Sequence, residues 1–219
     1  MMKDEIRSVG PAELWLPVSA EIISGVHHAL NNRLGALSAV AQVLEGEMGS
    51  AHPLRNALAE EVDRMQTTVR TLTLLPRRAG AGPEPVYLPD LIGSVVELFG
   101  FHHGVRDTKC VVSGTGDVLP LYCEPTLLAH LLITLLVTVG EAARAAGSGV
   151  LLGYAGNEAE VTMTVAADPA IESDWTLNAD ALRAWADELG GEVEGTGAGF
   201  VVRLPTLPEV RRREKEMGS

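Results

Sequence analysis

The chain has 219 residues, 46% hydrophobic and 21% charged, the proportions of an ordinary globular protein with room for one or two domains. Its net charge of −12 argues against nucleic acid as a partner, because a phosphate backbone seeks a basic surface. No uninterrupted apolar run reaches the ~18 residues that would span a bilayer.

The N-terminus, MMKDEIRSVGPAELW, has no apolar signal core, so a cytoplasmic address is expected. From about Pro17 to Glu45 the residues Ile23, Val26, Leu30, Leu34, Leu37, Ala41 and Leu44 recur at steps of three and four, which predicts a long amphipathic helix. GSAHP at 49–53 breaks it, and Leu54, Leu58, Val62, Met65, Val69 and Leu72 mark a second helix that ends near Pro76. A short loop between long helices implies an antiparallel hairpin over 11–78. Two helices cannot shield apolar seams this wide, so a four-helix bundle in a homodimer is expected.

RRAGAGPEP at 77–85 reads as a linker. Beyond it, Asp90 is expected to cap a short helix through Phe99, and KCVVSG and VLPLYC read as brief strands. Pro125 opens a strongly apolar helix closed by Gly147. GVLLGY and AEVTMTVA predict an antiparallel pair, followed by a helix from about Asn178 to Leu189 and two last strands, GEVEG and GFVVRLP. The fold class is α+β: the hairpin, then over 84–206 an α/β sandwich with helices on one face of a mostly antiparallel sheet. The charged tail, 207–219, is expected to be disordered. Cys110 and Cys123 are too few for a disulfide framework and not spaced as a zinc site, so partly buried, reduced thiols are expected.

Charge is unevenly spread. Residues 1–78 hold 8 Lys and Arg against 9 Asp and Glu, and residues 79–219 hold 9 against 20. A field of that sign repels nucleotide triphosphates unless local groups overcome it.

The stretch HHALNNRLGAL, residues 27–37, sets a polar cluster into the first helix. At ~100° per residue His28 and Asn32 share a face with Ser24, while His27 lies nearer the seam of Ile23, Val26 and Leu30. His28 is therefore expected to face solvent. A neutral imidazole there is a competent nucleophile near pH 7. Gly35, one step further, costs helix stability of ~1 kcal/mol against Ala, and room for another protein's backbone would explain it. Neighbouring His27 and His28 diverge too far to share a metal, and no acidic i,i+4 partner is present. His102 and His103 are expected in a loop, His130 buried and hydrogen-bonded, and Trp175 and Trp185 as core or interface anchors.

The segment His28-Ala29-Leu30-Asn31-Asn32-Arg33-Leu34 resembles the H-box of sensor histidine kinases, His-(Asp/Glu)-Leu-Asn-Asn-x-Leu. ALRAWADELGGEVEGTGAGFVVRLP resembles the last helix and strand pair of the Bergerat-type ATP-binding domain, and TLLAHLLITLLVTVGEAARAAG aligns with the helix that bears its Asn motif. The resemblance spans most of residues 17–205. It implies that His28 accepts a phosphoryl group and that Asn32 helps place a hydrolytic water. Ala29 replaces the acidic residue that assists autophosphorylation in that family, so the expected general base is missing.

The nucleotide motifs are degenerate as well. Thr134 and Thr138 stand where the family places Mg²⁺-binding asparagines, and a hydroxyl is a weaker ligand for that cation. Asp168-Pro169-Ala170-Ile171-Glu172 keeps the acid of Asp-x-Gly-x-Gly and loses both glycines. GTGAG at 195–199 joins two strands and opens no helix, so it reads as a hairpin turn. The combination resembles dimeric histidine phosphotransferases of the ChpT type. It implies an ATP-independent relay between response-regulator receiver aspartates through His28, with Mg²⁺ brought by the receiver and no cofactor or metal held by this chain. Arg33, beside the cluster, could pair with receiver carboxylates or phosphoryl oxygens, or equally stand as a solvated surface arginine. Alternatives are a non-catalytic pseudokinase dimer that sequesters a partner, a phosphatase using Asn32, and an ATP-dependent kinase with an eroded site.

Overall fold

The most apolar segment lies at the centre of the molecule. The structure is a computed structural model that describes residues 10–46, 52–76, 82–115, 118–171, 173, 175 and 179–217. Helices α1 (Pro11–Gly46) and α2 (His52–Thr71) form the hairpin, and a 3-10 turn (Leu72–Leu74) follows. Then come β1 (Glu84–Val86), α3 (Leu88–Phe101), β2 (Cys110–Thr115), β3 (Leu121–Cys123) and α4 (Pro125–Ala145). The chain continues through β4 (Gly149–Gly156), β5 (Glu160–Asp168), α5 (Ala179–Glu188), β6 (Glu192–Gly195), β7 (Gly199–Pro205) and α6 (Leu207–Met217). The architecture is a helical hairpin followed by a mixed α/β sandwich. The GSAHP break lies partly, and the RRAGAGPEP linker mostly, outside the described residues.

Fifteen of the 21 residues of α4 are buried, so this helix is apolar all round rather than on one stripe. It is long and apolar enough to cross a membrane by composition, with a mean hydropathy of 1.8, yet 83% of that window is buried inside the fold, as befits a core helix. One side of α4 packs on β4 and β5, the other on α3 and α1. The five-stranded sheet runs β2-β4-β5-β7-β6, with β2 parallel to β4 and the other pairs antiparallel. In β5, Val161, Met163 and Val165 are buried while Thr162 and Thr164 are half-exposed, the alternation of a sheet covered by helices on one face. KCVVSG and VLPLYC, neighbours in sequence, join different sheets: β3 pairs with β1 instead.

Three boundaries differ from expectation. Helix α1 starts at Pro11, which suits a first-turn position; Glu13 Oε2 accepts from the Gly10 N–H at 3.1 Å, and Pro17 is carried inside. Asp90 lies within the first turn of α3 and makes no side-chain cap; Tyr87 is the capping residue and Pro89 follows it. The tail is a helix, not a disordered segment. It has little apolar periodicity, but the Thr206 hydroxyl accepts from the Glu209 N–H at 3.4 Å, and Leu207 N donates to Pro120 O at 2.7 Å. Glu209 is bound by Arg212 and Arg213, both at 2.8 Å.

The apolar core is continuous from the hairpin into the sandwich. Val18, Ile22 and Val26 of α1 pack in the same cluster as Val95, Leu98, Leu131 and Leu135. Both cysteines are free; burial pushes the Cys110 thiol up to about 11 and that of Cys123 up to about 12, so both stay protonated and unreactive.

The hydrogen bonds from Arg212 and Arg213 hold the Glu209 carboxyl down at about 2. A depressed folded-state value means that its contribution is complete above the ordinary carboxylate range and is lost as pH falls towards about 2. Helicity of α6, followed by far-UV circular dichroism, is therefore expected to fall between pH 4.5 and about 2 in the native chain. Glu209→Gln should already lack that component at neutral pH.

Candidate functional site

His28 and Asn32 are both exposed on α1, one helical step apart, with exposed Ser24 one step before them. The Asn32 amide donates to His28 Nε2 at 3.2 Å. With the amide in this orientation, the neutral imidazole that accepts at Nε2 is the tautomer carrying its proton on Nδ1. The same bond recurs next door, Asn31 to His27 Nε2 at 3.2 Å, so hydrogen bonding does not separate the two histidines.

Their surroundings do. His27, expected nearer a covered seam, is exposed on a stripe that is itself open: Leu16, Ile23 and Leu34 are 65%, 53% and 50% exposed. Val62 and Val69 of α2 are exposed as well. His28 instead lines a cleft of about 370 Å³ whose opposite wall is the loop after α3, with His103, Arg106 and Asp107. Gly25 makes this approach possible, since a Cβ built there would fall on the carbonyl oxygen of Phe101. At Gly35, by contrast, a Cβ would meet nothing within 4 Å.

Arg33 turns away from the cluster. Rather than a receiver group or open solvent it meets α2: its Nη1 donates to Thr68 Oγ1 at 3.0 Å and its Nε lies 3.5 Å from Glu61 Oε1. Thr68 is fully buried and donates in turn to Arg64 O at 3.0 Å. At five residues from His28 a helix places Arg33 ~140° round the axis, which is the reason for its direction. Nearby, burial raises the Glu97 carboxyl above its ordinary range, against the lowering pull of Arg33 and Thr68. Arg33 thus ties α1 to α2.

The positions aligned with a nucleotide site do not converge on one. Thr134 is 4% exposed and its hydroxyl has no hydrogen-bond partner among the described residues. The Thr138 hydroxyl donates back to Thr134 O at 2.8 Å within α4. Asp168 ends β5 and lines a different cleft, of about 430 Å³, with Lys109, Arg144 and Ser148 but neither threonine. These donors do not fit a magnesium-bound nucleotide, which requires several oxygens in octahedral array. Among the described residues no three His, Cys, Asp or Glu side chains gather as metal ligands. GTGAG is a hairpin turn, with Thr196 N donating to Gly199 O at 2.7 Å. Of the segment between Asp168 and α5, residues 172, 174 and 176–178 lie outside the described residues.

His102, His130 and the tryptophans are structural. His102 is buried, with Nε2 3.6 Å from Glu21 Oε2, and burial lowers its pKa against the raising pull of Glu21. His130 is buried and its Nε2 donates to Leu74 O at 2.8 Å. Trp15 stacks on His130, ring centroids 3.9 Å apart, and Trp185 meets the same ring edge-on at 6.5 Å. Trp175 is buried against Phe200. Sequence reasoning missed Trp15, Gly25, His103 and Arg106; only tertiary approach reveals the last three, whereas a Trp in the opening turns of a long helix is a legible anchor.

No family model matches the chain. Over 122 residues it is 22% identical to sporulation kinase E of Bacillus subtilis (strain 168), a match covering 55% of this chain and 16% of that protein. Among solved structures it is similar to histidine kinase ThkA in complex with the response regulator protein TrrA, at 18% identity and a TM-score of 0.48, covering 89% of this chain and 64% of that one. It is similar also to Acinetobacter baumannii histidine kinase AdeS, at 15% identity and a TM-score of 0.41, over 82% of this chain and 98% of that one.

Alanine at the two glycines of α1 is expected to act in opposite directions. Gly25→Ala should cost about 1–3 kcal/mol, because the new methyl group meets backbone that cannot yield without moving α3. Gly35→Ala should stabilise by about 1 kcal/mol. Urea unfolding midpoints of the two variants check both.

Proposed function

We propose that this chain is a histidine-kinase-like phosphotransfer protein of two-component signalling, acting in the cytoplasm, in which His28 relays a phosphoryl group between receiver aspartates without ATP. The observation that carries this reading is an accessible imidazole, paired with the Asn32 amide, at the mouth of a cleft. The misfit of Thr134, Thr138 and Asp168 to a nucleotide supports an external donor over an internal one.

In the relay, Asn32 releases Nε2, whose lone pair attacks phosphorus of a receiver's aspartyl phosphate. The P–O bond to the aspartate breaks and the carboxylate leaves; the N–P bond forms, and the ring sheds its Nδ1 proton to solvent. A second receiver's aspartate reverses the sequence. Mg²⁺ belongs to the receiver, and this chain supplies nucleophile and docking surface. Arg33 acts as a positioning residue, fixing α1 against α2 on the side of the helix away from the imidazole. The open stripe of Leu16, Ile23, Leu34, Val62 and Val69 is the surface on which a homodimer would close a four-helix bundle, with His27 at its seam and His28 beside it.

A second reading, a receiver phosphatase, draws on the amide of Asn32 beside the imidazole. A radiolabelled phospho-receiver mixed with native protein, His27→Gln and His28→Gln decides among the readings. The relay predicts label on the native chain and on His27→Gln, and none on His28→Gln. Faster loss of receiver label with no protein label selects the phosphatase. Unchanged receiver label, with binding intact, leaves a sequestering module.

A further inference from the structure

The loop between α3 and β2 is built to turn two side chains towards His28. Val105 is fully buried and His102 nearly so, with His102 Nε2 held 3.6 Å from Glu21 of α1. Val105 N donates to His102 O at 3.1 Å, Thr108 N to Val105 O at 2.8 Å, and Arg144 Nη1 to Gly104 O at 2.8 Å. With His102 and Val105 anchored inward, His103 and Arg106 face outward into the cleft that His28 and Asn32 line from the other side. Arg106 is exposed and has no hydrogen-bond or ion-pair partner among the described residues. Arg33, the cation nearest in sequence to His28, is committed to Glu61 and Thr68.

A phosphoryl group brings about two negative charges at neutral pH, here into a protein of net charge −12. It needs a local cation, and a guanidinium offers paired donors for its oxygens. We infer that Arg106 holds the phosphoryl group on His28, so that the sandwich half supplies the second wall of the phosphotransfer site. This inference rests on His28 being the phosphoacceptor. Asp107, on the same wall, opposes the charge and lies at the border with the neighbouring cleft.

The test uses the intact protein and potassium phosphoramidate as donor. Its P–N bond breaks, the new N–P bond forms at His28 Nε2, and the imidazole proton leaves with ammonia as ammonium. Intact mass gives the rate, and ³¹P NMR gives the second ionisation of the bound phosphoryl group. Arg106→Ala is expected to slow uptake about tenfold, the scale of one charged hydrogen bond. It should also move the ³¹P titration to higher pH. Arg106→Lys should restore part of both effects, and Asp107→Asn should move the titration to lower pH. Arg106→Ala indistinguishable from the native chain in rate and titration would overturn the inference, as would a native chain that takes no phosphoryl group on His28. Phospho-His28 that shows these shifts but passes nothing to a receiver would uphold Arg106 and contradict the relay instead.

Discussion

Trp15 lies flat on His130, and through that stack the start of α1 is bound to the deepest helix of the sandwich. The imidazole of His130 donates to the Leu74 carbonyl, so the end of the hairpin is drawn to the same point. Ile22 and Val26 continue the contact up α1, each contributing about 1.5–3 kcal/mol by burial, against a net folding stability of about 5–15 kcal/mol. Hairpin and sandwich therefore share a core. Everything above that core, the cleft included, inherits its geometry from it.

The consequence for His28 is a fixed neighbour. In a protein whose sandwich swung freely, the imidazole would meet the opposite wall only transiently. Here Gly25 sits against the Phe101 carbonyl, and Glu21 reaches the buried His102, so the α3–β2 loop is held beside α1 by contacts on the His28 side of the helix. Arg33 and Thr68 perform the complementary task on the other side, locking α1 to α2. The two arginines differ in what holds them: Arg33 is engaged by Glu61 and Thr68, and Arg106 has no such partner among the described residues.

Elements whose signal is local were legible in the sequence. Pro125 and Gly147 bracket α4, the alternation Val161-Thr162-Met163-Thr164-Val165 marks β5, and Gly190, at a φ of 74°, ends α5 in the left-handed conformation that glycine tolerates. The helical spacing of His28 and Asn32 likewise gave their shared, exposed face. Elements decided by long-range contact were not legible. Nothing in VLPLYC says that β3 pairs with β1, and RRREKEM becomes helical through Glu209 pairing and a cap built on Thr206. His103 and Arg106 resemble any loop residues until Gly25 brings α3 against α1. Arg33 stands close to His28 in sequence, but its pairing with Glu61 and Thr68 of α2 shows only once the hairpin has closed.

Inside α4 the Thr134 hydroxyl is buried with no partner among the described residues, and Thr138 spends its hydrogen bond on the helix itself. In the proposed relay such a chain has His28 as its acceptor for phosphorus and no donor site of its own. Incubation with magnesium and γ-labelled ATP tests that claim most directly. The account predicts no acid-labile label on the native protein at a concentration where a phospho-receiver labels it. Label from ATP that disappears in His28→Gln would contradict it.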